Sequence, residues 1–522
     1  CSGASGSTSG PTLQGEVEWG PRANTNIQQS GVLFSLHFTG TERRRWLENY
    51  WIKNRNAMNR GIDGPTRGWV IPASQLSKAD AAEAVNDLIT QGVEFHVASE
   101  DFEVQVEAPD QTDLPSDDSE DEADSFVVRE GDWILRGDQP YRTVADIYFA
   151  LQRFPTTNPR PYDDLGWTFQ FMRDIDVTAI GDPALLEAPM ELIDGPVTAT
   201  GGISGDWVSA GATTIVVPHS GDNALATFRF RFPDVPMRAA RAEFEVDGTT
   251  FPAGSFLVST RTGDPSAIDA VLWELGLSGT AIDAVPADLE THDLDVPRIG
   301  YIHSWRRTQD EGWVRAALDR YGIPYAYFGE NEVHERDLRA EFDVIVYPHG
   351  GTVGELADPD EPALPYRATP RFRSFGQPDA TDDMRGSLGE EGLAELLAFV
   401  RDGGTLIAEG NTAGIFPEYD LTPGLQVADG GDLIARGSVY RGILHDATSP
   451  IRYGLQGNQK PVYFKDGMIL DAGLRPAETA PNEVQPVSLR VREGGGRFDP
   501  GPWQNTSPMS SPVWLSPYEH GA

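Results

Sequence analysis

Residues 298–347 read RIGYIHSWRRTQDEGWVRAALDRYGIPYAYFGENEVHERDLRAEFDVIVY, and this stretch decides the fold. It opens with a predicted strand at 298–303 and closes with VIVY at 344–347, a continuous apolar run typical of a strand buried on both faces of a sheet. Apolar residues at helical spacing follow the first run, and a further strand is predicted at 323–328. The alternation continues to a strand at 405–408. Strands that alternate with helices predict a doubly wound, mostly parallel sheet.

Two upstream stretches resemble each other. FVVREGDWILRG at 126–137 is similar to FEVDGTTFPAGSFLV at 244–258, at an offset of 118 residues (244 − 126). Each predicts strand, turn and strand, and helical stretches follow at 144–151 and 267–277. We therefore expect an α/β chain with two tandem, related α/β units followed by a doubly wound, flavodoxin-like domain.

The change of pattern along the chain predicts the domain boundaries. Residues 109–125 contain a run of Asp and Glu that lacks the Gly and distal Glu of a loop-type calcium site, so we interpret it as a solvated insertion, with cation binding as the alternative. The predicted segments are a flexible tether at 1–20, a helical segment at 21–65, a first α/β unit at 66–205 that contains this insertion, a second unit at 206–297, the doubly wound domain at 298–475 and an irregular tail at 476–522.

The charge balance limits the class of partner. The 522 residues include 41 Lys and Arg against 80 Asp and Glu, a net charge of −39. Nucleic-acid binding requires a basic face, so we expect no nucleic-acid partner. Only four residues are Lys, and a surface rich in Asp and Glu but poor in Lys suits high salt. GC-rich coding would give the same preference for Arg.

The only cysteine is Cys1, so no disulfide, Cys zinc cluster or Cys nucleophile can form in the body of the chain. Cys1 followed by a Ser/Gly-rich stretch resembles the start of a bacterial lipoprotein, in which an acylated cysteine binds the membrane surface. The alternative is that position 1 is an arbitrary processing point.

Motifs over about residues 20–475 resemble, in their order, one family: bacterial zinc carboxypeptidases of the carboxypeptidase A-like class, in the region that follows their catalytic domain. The stretches that carry the resemblance are ANTNIQQSGVL at 23–33, the helix at 46–60, WVIP at 69–72, QGVEFH at 91–96, DQPY at 138–141, PYDDLGWT at 161–168, FPAGS at 251–255 and the run that starts at 298. The resemblance implies a secreted protein associated with proteolysis, and it makes the segment at 21–65 the end of a peptidase-like domain.

The zinc motif of that family is not found in this sequence. The family binds zinc through His-x-x-Glu and a distant His, and none of the nine histidines here has Glu three positions later. His219, His292 and His334 have Asp at that spacing, which we interpret as coincidence in an acidic chain, with metal ligation as the alternative. We therefore expect no catalytic residue and no cofactor in this chain, with zinc only in an upstream catalytic domain.

Residues 298–475 also resemble the class I glutamine amidotransferase-like fold. Active members place a Cys directly after a strand, whereas Asn411 and Thr412 follow the strand here. A residual small-molecule pocket could include His349, Glu409 and Asn411. The alternative is an inert structural remnant.

Two functions follow from these resemblances. The first is the non-catalytic accessory part of a secreted zinc carboxypeptidase-like protein, whose partner is the missing peptidase domain or another subunit. The second is an extracellular surface lipoprotein that binds or scaffolds through its inactive amidotransferase-like domain. Both place the protein outside the cytoplasm. Among the aromatic residues that could bind a partner, Trp313 lies at helical spacing and is predicted to be a core residue. Trp503 and Trp514 lie in the tail and are predicted to dock onto a neighbouring domain or subunit.

Overall fold

A computed structural model describes residues 20–106, 125–150, 168–205, 212–305, 308–348, 362–367, 380–385 and 388–419, with shorter stretches between 422 and 471 and at 489–490 and 512–513. These residues form helices together with antiparallel, mixed and parallel sheets. The α/β class is therefore confirmed. No helix in the described ranges is long and apolar enough to cross a membrane.

Two long helices come first, α1 (Pro21–Thr41) and α2 (Arg43–Asp63), and together we call them the helix pair. Helix α1 buries no residue, and α2 buries only Ala57 and Gly61 near its end. A Cβ built on Gly61 would lie 2.0 Å from the backbone of Gly137, so only glycine allows this close approach. The end of α2 is thereby fixed to the domain that follows, while α1 projects away from it.

Unit 1 is a five-stranded antiparallel sheet with helices on one face. Its elements are β1 (Gly68–Ile71), α3 (Lys78–Thr90), β2 (His96–Ala98), β3 (Phe102–Gln105), β4 (Ser125–Val128), β5 (Trp133–Arg136), α4 (Arg142–Phe149), α5 (Phe169–Arg173), β6 (Thr178–Ile180) and β7 (Met190–Leu192). The strand order is β6-β1-β5-β2-β7, and the β3–β4 hairpin covers the face opposite the helices. The acidic insertion connects β3 to β4, and residues 107–124 lie outside the described ranges.

Unit 2 repeats this order of elements. It contains β8 (Gly202–Ser204), β9 (Thr214–Val217), α6 (Ala224–Arg231), β10 (Met237–Ala240), β11 (Phe244–Val246), β12 (Thr249–Phe251), β13 (Phe256–Ser259), α7 (Pro265–Leu275), β14 (Ser278–Ile282) and β15 (Thr291–Asp293). Its strand order is β15-β10-β13-β9-β14-β8, with β8 added in parallel to β14. The β11–β12 hairpin again covers the face opposite the helices.

The strand pairings change the alignment of the two stretches. The sequence comparison placed Phe126 on Phe244, but β4 is the second strand of its hairpin and therefore corresponds to β12, not to β11. Trp133 and Phe256, which begin the central strands β5 and β13, are 123 residues apart (256 − 133). The same offset places Gly131 on Gly254, and both have φ near +90°. The offset of 118 was wrong because the two hairpin strands look alike locally.

The third sheet is entirely parallel. It is built from β16 (Ile299–His303), α8 (Gln309–Arg320), β17 (Ala326–Gly329), α9 (Leu338–Glu341), β18 (Val344–Tyr347), α10 (Gly389–Arg401) and β21 (Thr405–Ala408), with the short strands β19 (Tyr366–Arg367) and β20 (Ala380–Thr381) between α9 and α10. The strand order is β17-β16-β18-β21. Helix α8 packs on one face of the sheet, and α9 and α10 pack on the other.

Short elements complete the described chain: α11 (Ile415–Glu418), β22 (Gln426–Val427), β23 (Arg436–Ile443), β24 (Gln459–Lys465), β25 (Leu470–Asp471), β26 (Leu489–Arg490) and β27 (Pro512–Val513). Strands β23 and β24 form a hairpin, and its connection returns to units 1 and 2. Lys460 pairs with Asp174 at 2.9 Å, and the ring of Tyr453 stacks on His292 with their centroids 5.8 Å apart.

Units 1 and 2 meet at the N-termini of α3 and α6. Asp222, just before α6, accepts a hydrogen bond from the backbone N–H of Asp80 in the first turn of α3, at 2.9 Å. Asp80 in turn accepts from the backbone N–H of Asn223 at 3.4 Å. Each unit therefore supplies a carboxylate to a helix N-terminus of the other, where backbone N–H groups need acceptors.

Candidate functional site at the carboxyl edge of the parallel sheet

The structure brings together the ends of β18 and β21, where the sequence predicted a pocket. The backbone N–H of Glu409 donates to Tyr347 O at 3.3 Å, and Asn411 lies two residues further on. Glu409 and Asn411 are both half-buried. His349, the third predicted residue, lies outside the described residues. The described geometry therefore places Glu409 and Asn411 at the sheet edge that the prediction named.

Residue Thr412 occupies the turn that follows β21. Its side chain is fully buried, and its hydroxyl donates to Pro348 O at 2.8 Å. This hydrogen bond ties the turn to the end of β18 and uses the hydroxyl proton. In this hydrogen bond the hydroxyl proton lies on a backbone carbonyl, whereas a nucleophilic hydroxyl must give its proton to a general base.

A buried polar cluster lies at the end of the neighbouring strand β16. The imidazole Nδ1–H of His303 donates to the two carboxylate oxygens of Glu311, at 3.0 and 2.9 Å. The backbone N–H of Ser304 donates to the same carboxylate at 3.3 Å, and Tyr327 donates its hydroxyl to it through a short hydrogen bond. We call His303, Glu311 and Tyr327 the edge cluster. Glu311 is 2 % exposed, so three donors offset the cost of burying its charge.

Fold topology explains why the edge cluster lies where it does. From β16 the chain first forms β17 on one side and then crosses to β18 on the other. The carboxyl ends of strands at such a reversal border an open crevice, which is where doubly wound sheets bind ligands. His303 is the last residue of β16, and Glu311 lies in the first turn of α8.

Aromatic and amide groups extend the edge. The indole N–H of Trp305 donates to Asn331 Oδ1 at 3.2 Å, and the Trp305 ring lies edge-on to His303 at 4.7 Å. Burial, followed by the Glu311 carboxylate, raises the pKa of Tyr327 well above its usual range. Tyr327 therefore stays a neutral hydrogen-bond donor at physiological pH.

One nitrogen of the edge cluster makes no hydrogen bond to a described residue. The hydrogen bonds of the His303 imidazole within the described ranges all use Nδ1, and none of them uses Nε2. A carboxylate that holds Nδ1–H fixes the ring orientation and tautomer, so Nε2 can accept a hydrogen bond or a proton from a bound molecule. The arrangement suits ligand binding.

The described residues do not fit a zinc centre. No group of three or more His, Cys, Asp or Glu side chains in the described ranges could hold a metal ion. His219 is packed against Phe256 and Tyr453, and burial lowers its pKa to about 4. These contacts make His219 a packing residue. Zinc in another domain stays a prediction.

One prediction about the aromatic residues was wrong, and two stay predictions. Trp313 is 71 % exposed, so its prediction as a core residue was wrong. Val314 and Leu318 face the sheet, and Trp313 lies about 100° round the helix from Val314. Trp503 and Trp514 lie outside the described residues.

A separate cavity of about 310 Å³ lies between the end of α2 and unit 1. Its charged groups are paired: Arg60 donates to Asp146 at 3.0 Å, and Arg142 donates to Thr66 O at 2.9 Å and forms an ion pair with Asp146 at 3.2 Å. This cavity therefore belongs to the interface between α2 and unit 1.

Sequence reasoning missed His303 and Glu311. The available signal was a histidine that ends an apolar strand at the first strand of the sheet, with a carboxylate eight residues later (311 − 303). No family model, curated protein or solved structure matches the chain.

Proposed function

We propose that this chain is the non-catalytic accessory part of a secreted zinc carboxypeptidase-like protein, and that its parallel-sheet domain is an inactive, glutamine amidotransferase-like binding module. The observation that carries the proposal is the turn after β21. Amidotransferases of this class place a cysteine there, and this chain has Asn411 and a buried Thr412 whose hydroxyl donates to Pro348 O. Peptide hydrolysis would then be the task of a zinc-binding domain outside these residues.

Strand order supports the finer fold assignment within this proposal. The order β17-β16-β18-β21 corresponds to the first four strands of a flavodoxin-like sheet, 2-1-3-4. The antiparallel order shared by β6-β1-β5-β2-β7 and β14-β9-β13-β10-β15 supports two related tandem units. We propose that both units and the parallel domain belong to one accessory region.

The edge cluster supports a binding role for the parallel domain. His303 is oriented by Glu311, and it ends β16 at the sheet edge where ligands bind in this class of fold. The same cluster favours the second candidate function, a surface lipoprotein that binds or scaffolds and is anchored through Cys1. The two candidates share the inactive module and differ in what joins the protein to its surroundings.

The proposal that this chain is not catalytic can be tested on the purified chain by zinc analysis and activity assays. We expect less than 0.1 equivalent of zinc by elemental mass spectrometry, no release of C-terminal amino acids from peptides and no hydrolysis of glutamine. Stoichiometric zinc, or turnover of either substrate, would contradict the accessory role.

The N-terminus separates the two candidates. The mass of the N-terminal peptide from the native protein would reveal acylation of Cys1, and the gene would reveal either an upstream His-x-x-Glu in frame or a lipobox directly before Cys1. The first motif supports the accessory role, and the lipobox supports the lipoprotein. An unmodified Cys1 in a cytoplasmic fraction would contradict both, because each places the protein outside the cytoplasm.

A further inference from the structure

The helix pair exposes an unusual amount of apolar surface. Leu33 and Phe34 on α1 are 67 % and 71 % exposed, and further large side chains on both helices are also open to solvent: Ile27, Val32, Leu36, Phe38, Trp46, Leu47, Tyr50, Trp51, Ile52, Met58 and Ile62. Soluble proteins rarely leave contiguous apolar patches of this kind uncovered. The surface therefore indicates a binding partner.

Helix α1 is apolar on several sides, not along one stripe. Leu33, Phe34 and Leu36 point in three different directions, because successive residues turn by about 100° round a helix. Residues 23–41 contain no Asp, Glu, Lys or Arg, although 23 % of the chain is charged. A helix of this kind is typical of the interior of a folded domain. A helix that lies on a lipid surface requires one strongly polar face, which α1 does not have.

The charge of the helix pair is opposite to that of the rest of the chain. Residues 21–63 contain seven Lys and Arg and three Asp and Glu, a net charge of +4. The other residues then carry 34 basic and 77 acidic side chains, a net charge of −43. Arg43, Arg44 and Arg45 lie at the junction of the two helices and are exposed. Charge complementarity thus favours an acidic partner surface.

We infer that the helix pair docks into a separate folded protein domain, with α1 enclosed by an apolar groove and the junction arginines facing carboxylates on its rim. The inference rests on the proposed accessory role and goes beyond it, because it specifies the chemistry of the partner surface. Burial of α1 on several sides requires a groove, and the basic junction requires an acidic rim.

Lys53 provides a direct test, because it is the only lysine of the helix pair and is exposed on α2. A carbodiimide joins lysine to a carboxylate in contact with it. In native protein isolated from the cells that make it, we expect mass spectrometry to find Lys53 joined to Asp or Glu of a sequence outside these 522 residues. Links from Lys53 only to carboxylates of this chain, in the same or a second copy, would overturn the inference, as would no link to another sequence.

Variants separate docking from folding. Leu33→Gln combined with Phe34→Gln should reduce the Lys53 link at least tenfold and leave hydrogen exchange of units 1 and 2 unchanged, because neither side chain is packed in the chain itself. Leu192→Gln, on the exposed edge strand β7, is the matched control and should leave the link unchanged. An unchanged link in the double variant would contradict the groove.

Binding to lipid vesicles tests the alternative that the helix pair contacts a membrane surface. Purified chain mixed with phosphatidylglycerol vesicles is expected to stay in the supernatant on sedimentation. Co-sedimentation that is lost in the double variant would replace the protein groove with a membrane surface. That result would leave the zinc and peptidase tests of the accessory role unaffected, so the two ideas can fail separately.

Discussion

Replacing Asp80 by asparagine tests how the two units are held together. Asp80 and Asp222 are both almost completely buried, and each caps a helix of the other unit. Burial, followed by the nearby Asp222, raises the pKa of Asp80 to about 8. At neutral pH the folded protein therefore holds a proton on Asp80 that the unfolded chain has released. Asp80→Asn keeps the size of the protonated side chain and removes this titration.

The sign of the effect follows from proton binding. Between pH 3.8 and about 8 the folded state binds more protons at Asp80 than the unfolded state, so the free energy of unfolding falls as the pH rises through this window. At about 1.4 kcal/mol per pH unit, the loss at pH 7 is about 4 kcal/mol. The variant should not show this loss. We expect it to be about 4 kcal/mol more stable than the natural chain at pH 7 and to differ by less than about 1 kcal/mol at pH 4.5.

Hydrogen exchange followed by mass spectrometry measures the difference within one unit. In peptides that cover α3, the slowest amides of the variant should exchange roughly several-hundred-fold more slowly than those of the natural chain at pH 7. At pH 4.5 the difference should fall to within about sixfold. Asp234→Asn makes the same chemical change on an exposed loop and should have no effect at either pH. Equal exchange of the Asp80 variant and the natural chain at pH 7 would refute the reasoning.

Three further predictions concern buried hydrogen bonds and packing. Glu311→Ala should lower the free energy of unfolding of the parallel domain by about 3 kcal/mol, measured by urea denaturation, because it leaves the donors of His303, Ser304 and Tyr327 without their shared acceptor. A loss below about 1 kcal/mol would mean that water replaces the carboxylate. Trp313→Ser should change the stability by less than about 0.5 kcal/mol because the ring is exposed, and a larger loss would show that it is packed. Gly254→Ala should lower the stability measured by thermal unfolding by at least about 2 kcal/mol more than Gly248→Ala does. Both glycines have positive φ, but only a Cβ at Gly254 would lie 2.4 Å from Tyr453. Equal losses of stability would mean that Tyr453 moves aside freely.

Local patterns in the sequence predicted the parallel domain well. The strands at 299–303, 344–347 and 405–408 lie where apolar runs placed them, and α8 and α10 lie where helical spacing placed them. Strand pairing in units 1 and 2 could not be predicted, because the partners of a strand are distant in sequence. The misplaced offset has the same cause: Phe126-Val127-Val128 resembles β11 locally, and only its pairing with β3 makes it the second hairpin strand.

The sequence pointed to one part of the candidate site and not to the other. Glu409 and Asn411 were named because resemblance to a known fold drew attention to the turn after a strand, and their role in a pocket stays a prediction. His303 and Glu311 were missed because their contact depends on how the connection after β16 directs α8 back over the sheet. Spacing along the chain contains no information about that path.

The reciprocal caps also affect how the protein is made. The carboxylate of Asp222 that accepts the N–H of Asp80 is translated 142 residues later. At about 5–20 residues per second, a ribosome takes roughly 7–30 seconds to supply it. During that interval the N-terminus of α3 lacks the Asp222 acceptor, and the surface of unit 1 that later contacts unit 2 is exposed and accessible to chaperones. Synthesis of unit 2 therefore completes unit 1, and a nascent chain that stops between them would leave the first unit incompletely folded.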